Sequence, residues 1–81
     1  MRARRTSRFD GDLAGAPPLI QRAFEKQLAF LLTNLRHPSL HAKKYDAARG
    51  LWQARVTLSW RFYFTIDSDT YTLHTIRTHP K

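Results

Sequence analysis

The stretch LWQARVTLSWRFYFTI, residues 51–66, reads as two β-strands joined by a tight turn: β-branched and aromatic residues alternate with polar ones on both sides of Leu58-Ser59. With residues 57–59 as the turn, Val56 faces Trp60, Ala54 faces Phe62 and Trp52 faces Phe64. These side chains share one face, suited to packing on a helix. The other face then carries Gln53, Arg55 and Thr57 beside Arg61, Tyr63 and Thr65. A two-residue turn at Leu58-Ser59 would shift one strand and split the aromatic face, because side chains alternate with period two. The favoured register makes Arg55 and Arg61 direct cross-strand neighbours. Like charges placed opposite one another destabilise a sheet, so the pair is expected to meet an anion. A solvated face or an acidic protein partner would accommodate it as well.

Working outward, Ser68-Asp69 reads as a turn and residues 70–78 as the next strand, with Tyr71 and Leu73 on the aromatic face. An unbroken register sends Arg77 and His79 to that same face and His74 and Ile76 to the arginine face. Either a bulge shifts the register near Thr75, or Arg77 and His79 lie past the end of the sheet. Upstream, SLHAKKY (residues 39–45) reads as a strand and residues 46–50 as a turn, which makes the whole an antiparallel meander. Before it, Ile20, Phe24, Leu28, Leu31 and Leu35 follow helical spacing. The spacing predicts an amphipathic helix of about five turns, started by Pro17-Pro18 and capped by Asn34. Phe9 and Leu13, after Ser7 as N-cap, predict a short helical turn. Residues 1–8 are a basic arm or a short edge strand. The fold class is therefore α+β: an N-terminal helical part on a twisted antiparallel sheet of three to four strands, one domain over residues 1–81.

The chain's 14 Lys+Arg against 6 Asp+Glu give a net charge of +8. A small domain this basic repels itself unless it meets an anion, with nucleic acid the leading class of partner and an acidic protein the next. The absence of cysteine excludes disulfides, thiolate metal sites and a thiol nucleophile, and fits a cytoplasmic setting. No apolar run reaches membrane-spanning length, and no membrane partner is expected.

The histidines His37, His41, His74 and His79 show no helical pair and no metal-ligand spacing, so no metal and no cofactor is expected. No glycine-rich phosphate loop is present. What remains is a set of cations and bases: Lys43 and Lys44 on the first meander strand, Arg55 and Arg61 on the next two, Arg77 and His79 at the end of the last, with His41 nearby. Metal-independent RNA cleavage uses such a set. A base takes the 2′-hydroxyl proton, cations hold the charged phosphorane, and an acid protonates the leaving oxygen. Histidine titrates near neutrality, arginine offers a fixed bidentate fork, and Tyr63 or a tryptophan offers a ring on which a base can stack. Each residue also has a plain reading: solubilising charge for the lysines, surface polarity for His79, core for the tryptophans.

The segments IQRAFEKQLAFLLTNLRHPSLHAKKYD and GLWQARVTLSWRFYFTI, and the ending HTIRTHPK, together resemble the RelE/ParE superfamily of type II toxins, in particular its RelE-like mRNA interferase branch. The resemblance runs over residues 9–81 and rests on the order and spacing of the segments. It implies a toxin that cuts mRNA on the ribosome without metal, held by a cognate antitoxin whose acidic segment covers the basic face in a toxin–antitoxin hetero-oligomer. It assigns Arg61, from the pattern R-x-x-Y/F, to the scissile phosphate, Arg55 to a neighbouring basic position, and His79 to acid or base. It puts Lys43 and Lys44 in a region where some members place a base or phosphate-binding residue; Arg77, His41 and Tyr63 join them as RNA-binding candidates from the residue reading above. Some members carry a catalytic Glu near Lys43, where this chain has none, and a Tyr where this chain has Pro80. A ParE-like role against DNA gyrase, with no need of nuclease residues, and a non-toxic binding module are the alternatives.

Overall fold

The computed structural model describes residues 1–79; Pro80 and Lys81, the end of the terminal motif, lie outside the described residues. The elements run in order β1 (Arg2–Arg5), α1 (Ser7–Ala14), α2 (Pro18–Thr33), a 3₁₀ turn (Pro38–Leu40), β2 (Lys43–Asp46), a second 3₁₀ turn (Ala47–Arg49), β3 (Leu51–Arg55), β4 (Trp60–Asp67) and β5 (Thr70–Thr78). The five strands form one sheet in the order β1-β5-β4-β3-β2. All neighbours are antiparallel except β1, which runs parallel to β5. The basic arm is thus an edge strand, and the sheet has five strands rather than three to four.

The helix follows its sequence signals. Pro18 takes the first turn, where its missing N–H is no loss, and the Asn34 backbone N–H closes the last turn on the Phe30 carbonyl at 2.8 Å. Phe24, Leu28 and Leu31 are buried from its inner face. α1 is longer than the expected single turn, and its N-cap is Thr6 rather than Ser7: Thr6 Oγ1 accepts from the Phe9 N–H at 3.1 Å. Its Phe9 packs against Phe24 at 5.0 Å, and Phe24 meets Phe62 of β4 edge-on at 5.2 Å. One aromatic file therefore runs from α1 through α2 to the middle of the sheet. Arg5 Nη2 of β1 donates to both carboxylate oxygens of Glu25 on α2, at 2.8 and 3.0 Å, and ties the edge strand to the helix layer.

The β3–β4 register is the expected one: Arg55 opposite Arg61, Ala54 opposite Phe62, Trp52 opposite Phe64. β3 ends at Arg55, just before the expected turn, because the Val56 and Thr57 N–H groups both turn to the Trp60 carbonyl. Between β4 and β5 the register slips by one, with Tyr63 opposite Thr75 but Phe64 opposite Leu73. His74 is the extra residue. This bulge is the first of the two expected alternatives: it returns Ile76 to the core and Arg77 to the arginine face. The strand expected at residues 39–45 is largely absent. Pro38 lacks an N–H and fixes its own φ, the chain makes a 3₁₀ turn that buries Leu40, and His41 takes a left-handed conformation (φ 45°) before β2 begins at Lys43.

The Phe9–Phe24–Phe62 file predicts a sharp contrast. Phe24→Ala should cost about 3–5 kcal/mol of unfolding free energy, the usual loss for a buried Phe, whereas Leu19→Ala, 71% exposed on the same helix, should change it by less than about 0.5 kcal/mol. Urea denaturation followed by tryptophan fluorescence measures both.

Candidate functional site

The bulge at His74 completes a row that the sequence reading left open. Arg55 faces Arg61 across β3–β4, and Arg61 faces Arg77 across β4–β5, so three arginines stand side by side on one face of three adjacent strands. Adjacent like charges repel, and each side chain takes a different way out. Arg61 is 9% exposed and folds back into the β3–β4 turn, where its Nη1 donates to the carbonyls of Thr57 (2.6 Å), Leu58 (3.1 Å) and Trp60 (3.0 Å). Burial, and then the neighbouring Arg55 cation, lower its pKa. Arg77 leans the other way, over the ring of Tyr63 at 4.4 Å from the centroid. Arg55 stands at the β3 end of the row. Its Nε is buried and has no hydrogen-bond partner, the usual mark of a group awaiting a ligand or an ordered water.

Arg55 and Arg61 line a cleft of about 360 Å³ together with His41, Lys43, Gln53 and His79. Five of the eight residues singled out from the sequence thus converge on one cleft, and no carboxylate is among its lining residues. The chain brings them there by separate routes. The 3₁₀ turn delivers His41, and pairing of Lys43 with Gln53 places that lysine on the arginine side. The His79 N–H donates to the Ser59 carbonyl at 2.7 Å, fixing the end of β5 beside the β3–β4 turn. Lys44 pairs with Trp52, on the opposite parity, and lies outside this lining. Arg77 and Tyr63 line a second, adjacent cleft. Tyr63, named as a ring for base stacking, is only 2% exposed: Arg77 covers it, Tyr45 meets it edge-on at 5.0 Å, and its hydroxyl donates to Gln53 Oε1 at 3.1 Å. It is a wall between the clefts rather than a stacking platform.

One residue behind the site escaped the sequence reading. Gln27, 4% exposed, sits on the apolar stripe of α2. Its Nε2 donates to the carbonyls of Arg55 (2.8 Å) and Ser39 (3.0 Å), and its Oε1 accepts from Ser39 Oγ at 3.0 Å. One amide therefore fixes both segments that deliver cleft residues, the end of β3 and the turn before His41. Its signal was available: it lies three residues after Phe24 and four before Leu31, a polar residue where the stripe demands an apolar one. Among the described residues no group of three His, Asp or Glu side chains is placed to hold a metal ion, and no helix is long and apolar enough to cross a membrane.

No family model matches the chain, and no curated protein matches it. Solved structures do. A YoeB/ParE toxin from Agrobacterium tumefaciens superposes with a TM-score of 0.81 at 13% identity, covering 99% of this chain and all of that one. The RelBE2 toxin–antitoxin complex from Mycobacterium tuberculosis gives 0.77 at 21% identity, with 96% of each chain covered. The YoeB–YefM complex from Staphylococcus aureus gives 0.78 at 12% identity, with 99% and 98% covered. The chain has the RelE/ParE-like toxin fold.

The arginine row predicts opposite effects for its members. Arg61→Ala should destabilise by about 1.5–3 kcal/mol, since it strips charge-assisted bonds from three turn carbonyls. Arg55→Gln should leave stability unchanged or raise it, since it removes an unpartnered buried donor and a repulsive neighbour. Thermal denaturation of the two variants beside the parent checks the sign of each.

Proposed function

We propose that this chain is the toxin of a toxin–antitoxin pair and a metal-independent endoribonuclease that cuts mRNA on the ribosome. The observation that carries this reading is the carboxylate-free cleft in which Arg55, Arg61 and Lys43 stand with the imidazoles of His41 and His79. The likeness of fold to YoeB–YefM and RelBE2 supports it.

The chemistry assigned to the cleft is in-line attack of a 2′-oxygen on the adjacent phosphorus. A base removes the 2′-hydroxyl proton, the 2′-O–P bond forms, the P–O5′ bond breaks, and an acid protonates the leaving 5′-oxygen. The products are a 2′,3′-cyclic phosphate and a 5′-hydroxyl. His79 acts as acid or base. The Arg55 guanidinium meets the charge that builds on the phosphorane, and the buried Nε without a partner gains one when phosphate arrives. Arg61 adds charge from the floor of the cleft and holds the turn that anchors His79. Lys43 and Arg77 hold flanking phosphates. The net charge of +8 draws the chain to RNA and, when not at work, to an antitoxin with an acidic segment laid over the arginine face. The reading places the protein in the cytoplasm, where ribosomes and mRNA are.

Expression from a tight promoter, with primer extension on cellular mRNA, tests the proposal. Cuts within translated codons are expected, reduced at least about 100-fold by His79→Ala, the usual size of a general acid–base contribution. Arg55→Gln should reduce them comparably without unfolding the protein. Growth arrest with uncut mRNA would overturn the ribonuclease reading, and accumulation of cleaved DNA–gyrase complexes in the same cells would place the target at gyrase.

A further inference from the structure

Gln27 stands where strand pairing stops supporting the cleft. β2 meets β3 with Lys43 opposite Gln53, and among the described residues it has none opposite Arg55. Upstream of Lys43 the chain turns away through the left-handed His41 to the 3₁₀ turn that carries Ser39. His41 and Ala42 line the cleft from one side of that gap and Arg55 from the other. We infer that Gln27 is the positioning residue of this cleft: from the helix layer it sets how far apart Arg55 and His41 stand. The inference deepens the ribonuclease reading, on which its rate prediction rests.

Three observations carry it. The first is placement. Gln27 is 4% exposed, on a helix face that otherwise buries Phe24, Leu28 and Leu31. An amide buried there must recover its lost hydration in hydrogen bonds. The second is where those bonds go. Nε2 donates to main-chain carbonyls on the two sides of the gap, Arg55 at 2.8 Å and Ser39 at 3.0 Å, and Oε1 accepts from Ser39 Oγ. One nitrogen bonded to both carbonyls pins them to each other where the sheet does not. With three of the amide's four hydrogen-bonding positions taken, its orientation is fixed as well. The third is the contrast between the arginines. Arg61 is held by three turn carbonyls, whereas Arg55 Nε has no partner. The place of Arg55 in the cleft is therefore set by its main chain, whose carbonyl is bonded to Gln27. A reacting phosphate must meet Arg55 and the groups across the gap at once, and a misplacement of about 1 Å in such a geometry lowers a rate about 100-fold. Lys43 and Arg77 are placed by strand pairing, so binding through flanking phosphates outlasts turnover.

The test compares Gln27→Met, which keeps an unbranched chain in the stripe and removes the donor, with Gln21→Met. Gln21 also donates from α2 to two main-chain carbonyls, Ala14 at 3.5 Å and Ala16 at 2.9 Å, but none of these three residues lines the cleft. Ribosomes programmed with a labelled mRNA give kcat and KM, and inorganic phosphate titrated into the 15N-labelled proteins reads the Arg55 Nε–H resonance. Gln27→Met is expected to lower kcat about 100-fold with KM within about threefold of the parent. It should also weaken phosphate at Arg55 at least about twofold, the low end for a lost hydrogen bond. Gln21→Met should leave all three at the parent's values. Ser39→Ala, which removes only the bond orienting the amide, should lower kcat at least about twofold and reads the same effect should Gln27→Met not fold. Parental kcat and phosphate response in Gln27→Met overturn the inference, and so does an equal loss in Gln21→Met, the mark of general loosening. A raised KM with kcat unchanged overturns it too, since Gln27 would then govern binding rather than geometry. A parent that cuts no mRNA, yet loses its Arg55 response to phosphate in Gln27→Met and not in Gln21→Met, sinks the ribonuclease reading and leaves Gln27 assigned to the cleft. A parent whose Arg55 Nε–H ignores phosphate removes the site on which both readings rest.

Discussion

The two-sidedness of β4 governs this molecule. Phe62 and Phe64 leave the strand on one side and are wholly buried against the helices; Arg61 and Tyr63 leave it on the other and are buried among polar groups. Both neighbours must keep that division, or cations enter the core and apolar groups enter the cleft. β3 keeps it through an uninterrupted register. β5 cannot, since its apolar residues Tyr71, Leu73 and Ile76 are spaced by two and then by three, and only an extra residue at His74 reconciles both ends with β4. The bulge is the device by which one strand serves the core at Leu73 and the arginine row at Arg77.

The same division explains why a row of three arginines is tolerated. Arg61 is satisfied by backbone carbonyls and Arg77 by an aromatic face, so each spends its charge on the protein itself. Arg55 has no such outlet, and its Nε is left buried and unpartnered. Its backbone is nevertheless held firmly, by the amide of Gln27 from the helix layer. Its main chain is thus fixed while one guanidinium nitrogen stays without a partner.

Most of the fold was legible because it is written in short-range alternation. The register of β3 on β4, the β4–β5 turn at Ser68 and the α2 stripe each follow from side-chain parity within one or two elements. Two features lay beyond that logic. The parallel pairing of β1 with β5 joins the two ends of the chain, and nothing in RARR distinguishes an edge strand from a solvated arm. The segment after Pro38 has strand-like composition, yet a proline and a left-handed His41 convert it to a 3₁₀ turn. At the site, charge type singled out residues that the fold brings into one cleft, but not which member is structural. Arg61 and Arg55 look alike in sequence, and their difference lies in three turn carbonyls that only the folded loop brings together.

The pairing of β1 with β5 also has a consequence for how the molecule comes into being. Thr6, which follows β1, bonds to the carbonyl of His74, 68 residues away, and the edge strand lies beside Thr70 to Leu73. During synthesis β1 emerges first among the strands and β5 last, so the sheet cannot close until nearly all the described chain is outside the ribosome. Contacts this distant in sequence slow folding, because the loop must be closed before the pairing rewards it. His79 and Arg77 arrive in the same late segment that completes the sheet. Assembly of the arginine face and completion of the sheet are therefore a single event.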